Sequence, residues 1–224
     1  MARIALGLEY DGSAYFGWQR QSHAPSVQGE FERALSVVAD HPIRLTAAGR
    51  TDAGVHALMQ VAHFDTTAVR SEQAWVLGGS AAAADDLSVL WAREVPGDFH
   101  ARFSALSRTY RYRILNRRIR PALERQRSCW IRRPIDAAAM HEAAQCLLGE
   151  HDFSAVRSAD CQSSTPVRRI TAVAVRRDGM RVEIEVSANA FLHHMVRNIA
   201  GTLLAVGVGE RPVAWVAEVL AGRD

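Results

Sequence analysis

The chain opens on alternation: Ile4, Leu6, Leu8 and Tyr10 are interleaved with Arg3, Ala5, Gly7 and Glu9, and Asp11-Gly12 ends the run. A period of two predicts a half-buried strand. Ser26, after Pro25, suits a helix N-cap, and Val27, Phe31, Leu35 and Val38 then fall on one helical face. Strand-like runs at 43–48 and 60–66 follow, then a helix over 71–83 and a strand over 88–95. The predicted order is β-α-β-β-α-β, the ferredoxin-like arrangement.

The second half repeats much of that order. Residues 108–115 read as a strand with Tyr110, Tyr112 and Ile114 on one face, and 117–133 as an exposed basic connection. Asp136 caps a helix that turns Met140, Ala144 and Leu147 inward and that Gly149 closes. Residues 151–166 are irregular and polar. A hairpin follows, 170–177 and 180–187 about Asp178-Gly179, with Val182, Ile184 and Val186 sharing a face. Phe191, Met195, Ile199 and Leu203 line the next helix, and Pro212 begins a last one. The expected fold class is α+β, two ferredoxin-like α/β sandwich units over 1–105 and 106–224, flanking a basic active-site cleft.

Composition supports a globular chain, with 224 residues, 48% hydrophobic and 23% charged. The start resembles no signal peptide, and the apolar run 199–208 is too short to span a bilayer. Cys129, Cys146 and Cys161 are odd in number and widely spaced, forming neither a disulfide framework nor a Cys-x-x-Cys metal site. A cytoplasmic setting is the expectation. His193 and His194 are adjacent, so on a helix they point about 100° apart, which argues against chelation. No metal site is expected.

Charge changes the picture more. Net charge is only +3, but all 27 basic residues are arginine, and eleven lie between Arg102 and Arg133 against one acid, Glu124. Such a local excess repels itself without a polyanion, and nucleic acid is the obvious partner. Within 13–24, Tyr15, Phe16 and Trp18 stand beside Gln19, Arg20 and Gln21, where they either stack on bases or plug the core.

Between the runs at 43–48 and 60–66 lies Gly49-Arg50-Thr51-Asp52-Ala53-Gly54-Val55-His56. Glycine permits positive φ and close approach of a ligand. Asp52 is either an ordinary turn residue or a carboxylate nucleophile on a rigid loop near a fixed cation. By pattern alone, Tyr110 is a core strand aromatic and Arg197 a surface helix cation.

Together with 49–56, Tyr10-Asp11-Gly12 with Gly17-Trp18-Gln19-Arg20-Gln21, Phe99-His100-Ala101-Arg102-Phe103, and 188–198 (Ala-Asn-Ala-Phe-Leu-His-His-Met-Val-Arg-Asn) resemble the tRNA pseudouridine synthase A family over essentially the whole chain. The resemblance implies a cofactor-free isomerase that converts uridine to pseudouridine at positions 38, 39 and 40 of the tRNA anticodon arm. It implies Asp52 as nucleophile, Tyr110 stacked on the target base, Arg197 paired with Asp52, and Arg50 filling the space of the flipped nucleotide. It further implies tRNA contacts at Phe99, His100, Ala101, Arg102 and Phe103, at Asp160, Cys161, Gln162, Ser163 and Ser164, and at Arg70 and Arg118. Family members are homodimers. They usually continue into a Gly-Leu-Tyr-Leu-type strand, so the second unit is expected to lack its C-terminal strand. Two rivals remain: a non-catalytic tRNA-binding module derived from a synthase, and, more weakly, a metal-dependent nuclease, for which no ligand cluster is evident.

Overall fold

A computed structural model describes residues 1–159, 161 and 163–222. The chain divides into two compact units, Met1–Ala105 and Leu106–Asp224.

In the first unit, β1 (Ala2–Tyr10) is followed by α1 (Val27–Ala39), β2 (Thr46–Ala47), β3 (Ala57–Thr66), α2 (Glu72–Ala82) and β4 (Leu87–Val95). The sheet order is β2-β3-β1-β4, antiparallel throughout, as a β-α-β-β-α-β unit requires. Ser26 caps α1 by accepting the Gly29 N–H, and Ser71 caps α2 by accepting that of Ala74. Phe31 and Leu35 of α1 and Trp75 of α2 pack with Leu6, Leu8 and Phe64 of the sheet, all essentially inaccessible to water. Each such side chain contributes about 1.5–3 kcal/mol by leaving water.

Two expectations change. β1 is buried on both faces because it is central, with Trp91 of β4 lying over Gly7. The run at 43–48 pairs with β3 only towards its end, at Thr46 and Ala47, with the Ala48 N–H donating to the Val61 carbonyl at 2.7 Å. Ile43 and Leu45 are buried, but their N–H groups go to Ser36 Oγ and Glu32 Oε1 of α1 rather than to a neighbouring strand.

The second unit contains β5 (Arg108–Asn116), β6 (Cys129–Ile131), α3 (Ala137–Ala144), β7 (Gly149–Asp152), β8 (Val167–Asp178), β9 (Arg181–Ala188), α4 (Met195–Gly207) and α5 (Trp215–Gly222). Its sheet order is β6-β5-β9-β8-β7. Met140, Met195, Ile199 and Leu203 of the helices pack with Ile170, Val182, Ile184 and Val186 of the sheet. Asp136 caps α3 as expected, accepting from Ala138 and Ala139.

Two strands interrupt segments expected to be irregular. β6 runs parallel to the end of β5 inside the basic connection, and β7 pairs with β8 inside 151–166 and just before it. The β8–β9 turn is centred on Gly179-Met180, one residue later than expected, because Asp178 pairs with Arg181. Phe191 precedes α4 instead of lining it. Among the described residues, no helix is long and apolar enough to cross a membrane.

Candidate active site

The loop between β2 and β3 carries Arg50, exposed, and Asp52, half-buried. Its path is dictated by the segment after β1. Trp18 N–H donates to the Thr51 carbonyl at 2.9 Å, Gly54 N–H donates to that of Tyr15 at 3.3 Å, and the Tyr10 hydroxyl lies 2.8 Å from Thr51 Oγ1. Gln60 Nε2 donates to the Gly49 carbonyl at 2.7 Å, and Val55 N–H donates to that of Asp52 at 3.1 Å. His56 Nδ1 lies 3.2 Å from the Gly12 nitrogen and 3.0 Å from Asp11 Oδ1. These contacts alternate: a bare Nδ1 accepts from Gly12, a protonated one donates to Asp11.

Of the two glycines expected to shape the loop, Gly54 has φ +75 and Gly49 is not in the left-handed region. The tighter demand falls on Gly17, at φ +94, where a Cβ would sit 2.7 Å from the Thr51 carbonyl oxygen.

The aromatic segment therefore serves mostly as a plug. Trp18 and Tyr15 are buried, Trp18 against Tyr10 and Phe31, and the Tyr15 hydroxyl donates to Asp86 at 2.8 Å. Phe16 alone of the three is exposed.

In the second unit, Tyr110 on β5 is half-buried, its ring meeting Phe191 edge-on at 4.9 Å. Arg197 is exposed in the first turn of α4. Tyr112 shares Tyr110's face. Burial first, then its hydrogen bond to Cys129, pushes its hydroxyl up to about 12, against the Arg197 charge. His193 and His194 precede α4, with His194 at φ +60, and their ring centroids are 3.9 Å apart. The premise that they diverge on a helix is therefore wrong. Asn189 stitches the ends of β8 and β9: its Oδ1 accepts from the Arg169 and Ala190 N–H groups.

Residues 99–103 form a turn after β4. Phe103 and Arg102 are exposed, the Arg102 guanidinium lying 5.6 Å from the Phe103 ring centroid, whereas Ala101 is buried. Arg70 donates to the Val38 and Val69 carbonyls, beyond the end of β3 remote from the Asp52 loop, about 30 Å along the strand. Asp160 and Gln162 lie outside the described residues. Ser163 accepts from Arg168 at 2.6 Å, and Ser164 is exposed. Burial raises the Cys161 thiol, but hydrogen bonds with the Ser163 and His193 backbone and the Arg157 and Arg168 charges hold it below its ordinary range. Arg118 is exposed.

The family model described as tRNA pseudouridine synthase matches residues 8–104 and 143–224. A tRNA pseudouridine synthase A from Methylococcus capsulatus is 57% identical over 222 residues, 99% of this chain and 82% of that protein. One from Coxiella burnetii is 57% identical over 224 residues, 100% of this chain and 86% of its own length. One from a Shewanella species is 56% identical over 222 residues, 99% of this chain and 85% of its own. This chain belongs to the tRNA pseudouridine synthase family.

The tRNA pseudouridine synthase match includes Asp52, Arg50 and Arg197 but omits 105–142, and with them Tyr110, Arg118 and most of the arginine stretch. Several of that stretch's charges are already met in this synthase-family chain. Arg111 pairs with Glu185 at 2.7 Å, Arg113 with Glu183 at 3.4 Å and Arg133 with Glu210 at 2.6 Å, while Glu124 pairs with Arg181. The partners come from 181–210, so counting charge along 102–133 overstates the field there.

Proposed function

We propose that this chain isomerises uridine to pseudouridine at positions 38, 39 and 40 of the tRNA anticodon arm, as a homodimer and without a cofactor. The observation that carries this reading is the Asp52 loop: its motif is held on both sides by backbone hydrogen bonds, in a chain 57% identical over its length to proteins named tRNA pseudouridine synthase A. In the reaction the bond from C1′ to N1 breaks, the uracil turns, and a bond from C1′ to C5 forms. N1 gains a proton, C5 loses one, and no redox partner is needed. Asp52 supplies the nucleophile. A paired uridine must leave the stack first, and Arg50, charged and exposed on the same loop, fills the vacated space. Tyr110 stacks on the extruded base, its ring braced by Phe191. Arg197 supplies a further fixed charge, and the 99–103 turn and Arg118 meet the tRNA backbone.

The direct test uses tRNA bearing tritium at C5 of uridine. Release of tritium to water with formation of pseudouridine is expected. Tight binding without release would support the non-catalytic module instead.

Salt separates the arginines. Each phosphate neutralised lowers the binding constant by roughly 0.7–0.9 log units per log unit of salt. Arg118→Ala should make that slope shallower by about one such step, whereas Arg111→Ala, whose guanidinium is engaged by Glu185, should leave it unchanged. A slope for Arg118→Ala equal to that of the native chain would rule out a phosphate contact at Arg118.

A further inference from the structure

We infer that His63 is a positioning residue: one neutral imidazole on β3 holds the 99–103 turn against the β2–β3 ladder, whose strands flank the Asp52 loop. The inference rests on the reading above, in which that turn contacts tRNA. His63 is buried, 5% exposed, and lies opposite Thr46 in the β2–β3 ladder. Its Nδ1 accepts the Ala101 N–H at 3.2 Å. The Thr46 backbone, across the ladder, favours the protonated ring. With Nδ1 accepting, the proton of the neutral ring is on Nε2.

The ring also shapes the turn by packing. It meets Phe99 edge-on at 6.0 Å and His100 at 4.9 Å. His100 Nδ1 accepts the Arg102 and Phe103 N–H groups at 3.2 and 3.3 Å, and its ring stacks on Phe103 at 4.3 Å. Arg3 grips the start of the turn, donating to the Gly97 and Phe99 carbonyls at 2.6 and 2.8 Å while paired with Asp65. A chain of contacts thus runs from β2 through His63 to the exposed Phe103 and Arg102.

Protonation of His63 would leave Nδ1 no lone pair for Ala101 and set two N–H groups against each other. Burial first, then the charges of Arg3 and His100, keep the ring's pKa below its ordinary value, with Asp65 and the Thr46 backbone opposing. The neutral form therefore holds the turn at neutral pH, and the hold is lost as pH falls through that lowered pKa.

The test measures tRNA binding in an Asp52→Asn background, which keeps the substrate unreacted during the measurement, between about pH 5 and 8. With His63 present, affinity should fall about tenfold on acidification, the scale of one hydrogen bond lost. His63→Asn keeps an acceptor near the Nδ1 position but cannot titrate, so its affinity should stay within about twofold over the same range. His63→Phe keeps volume without an acceptor and should bind about tenfold more weakly at neutral pH, with His63→Asn recovering most of that loss. The sign is diagnostic, because an added positive charge would by itself strengthen RNA binding. The same acid loss in His63 and His63→Asn proteins would overturn the inference. Failure of the native chain to make pseudouridine is a separate result that would overturn the function.

Discussion

An Asp52→Asn variant should bind tRNA as tightly as the native chain and form no measurable pseudouridine, with turnover down on the order of 10³-fold or more. The amide nearly matches the carboxylate in size, and the loop around it is fixed from outside. Thr51 is held by Trp18 and Tyr10, Gly54 by Tyr15, and the Asp52 carbonyl by the Val55 N–H. Asparagine changes none of those backbone bonds, so a lost rate with an unchanged melting temperature isolates the carboxylate. Turnover close to that of the native chain would end the case for Asp52 as nucleophile.

The Arg50→Ala variant separates binding from base flipping. Arg50 is exposed and two residues from Asp52, so it can reach the same nucleotide without acting as acid or base. If it fills the gap in the stem, single-turnover rates on a paired uridine should fall by roughly a hundredfold, reflecting the few kcal/mol needed to unstack a base. Affinity for tRNA should weaken only a few-fold. A mismatched target uridine is already partly unstacked, and on that substrate the loss should shrink towards tenfold or less. Equal losses on paired and mismatched substrates would assign Arg50 to electrostatic support of Asp52.

Features with a local cause were legible in the sequence. The Ser26 and Asp136 caps and the inward faces of α1, α3 and the β8–β9 hairpin follow from side chains within a few residues of one another. Short strands were not. β6 and β7 have three and four residues, too few to show a period, and exist because β5 and β8 offer them an edge. The run at 43–48 had the right pattern, yet Glu32 and Ser36 took two of its N–H groups before any strand could.

The candidate site shows the same division. The motif around Asp52 stands out as a contiguous string, but the residues that hold it, from Tyr10 to Trp18, gave no sign of that role. Periodicity does not distinguish a plug from a stacking platform, and only the burial of Tyr15 and Trp18 beside an exposed Phe16 does so. The role of His63 was equally silent, since its partners Thr46 and Ala101 lie 17 and 38 residues away along the chain.

The pairs Arg111–Glu185 and Arg113–Glu183 bear on how the second sheet finds its register. β5 presents Thr109, Arg111 and Arg113 opposite Ser187, Glu185 and Glu183, and Tyr110, Tyr112 and Ile114 opposite Val186, Ile184 and Val182. A slip of one residue would turn both sets over and drive guanidiniums into the apolar layer. A slip of two keeps the faces but sets Arg113 against Arg181 in one direction and leaves Arg111 opposite Ser187 in the other. The solvent-side charges thus work as a proof-reading code for strand pairing, and Tyr110 arrives beside Phe191 only in the register that satisfies them.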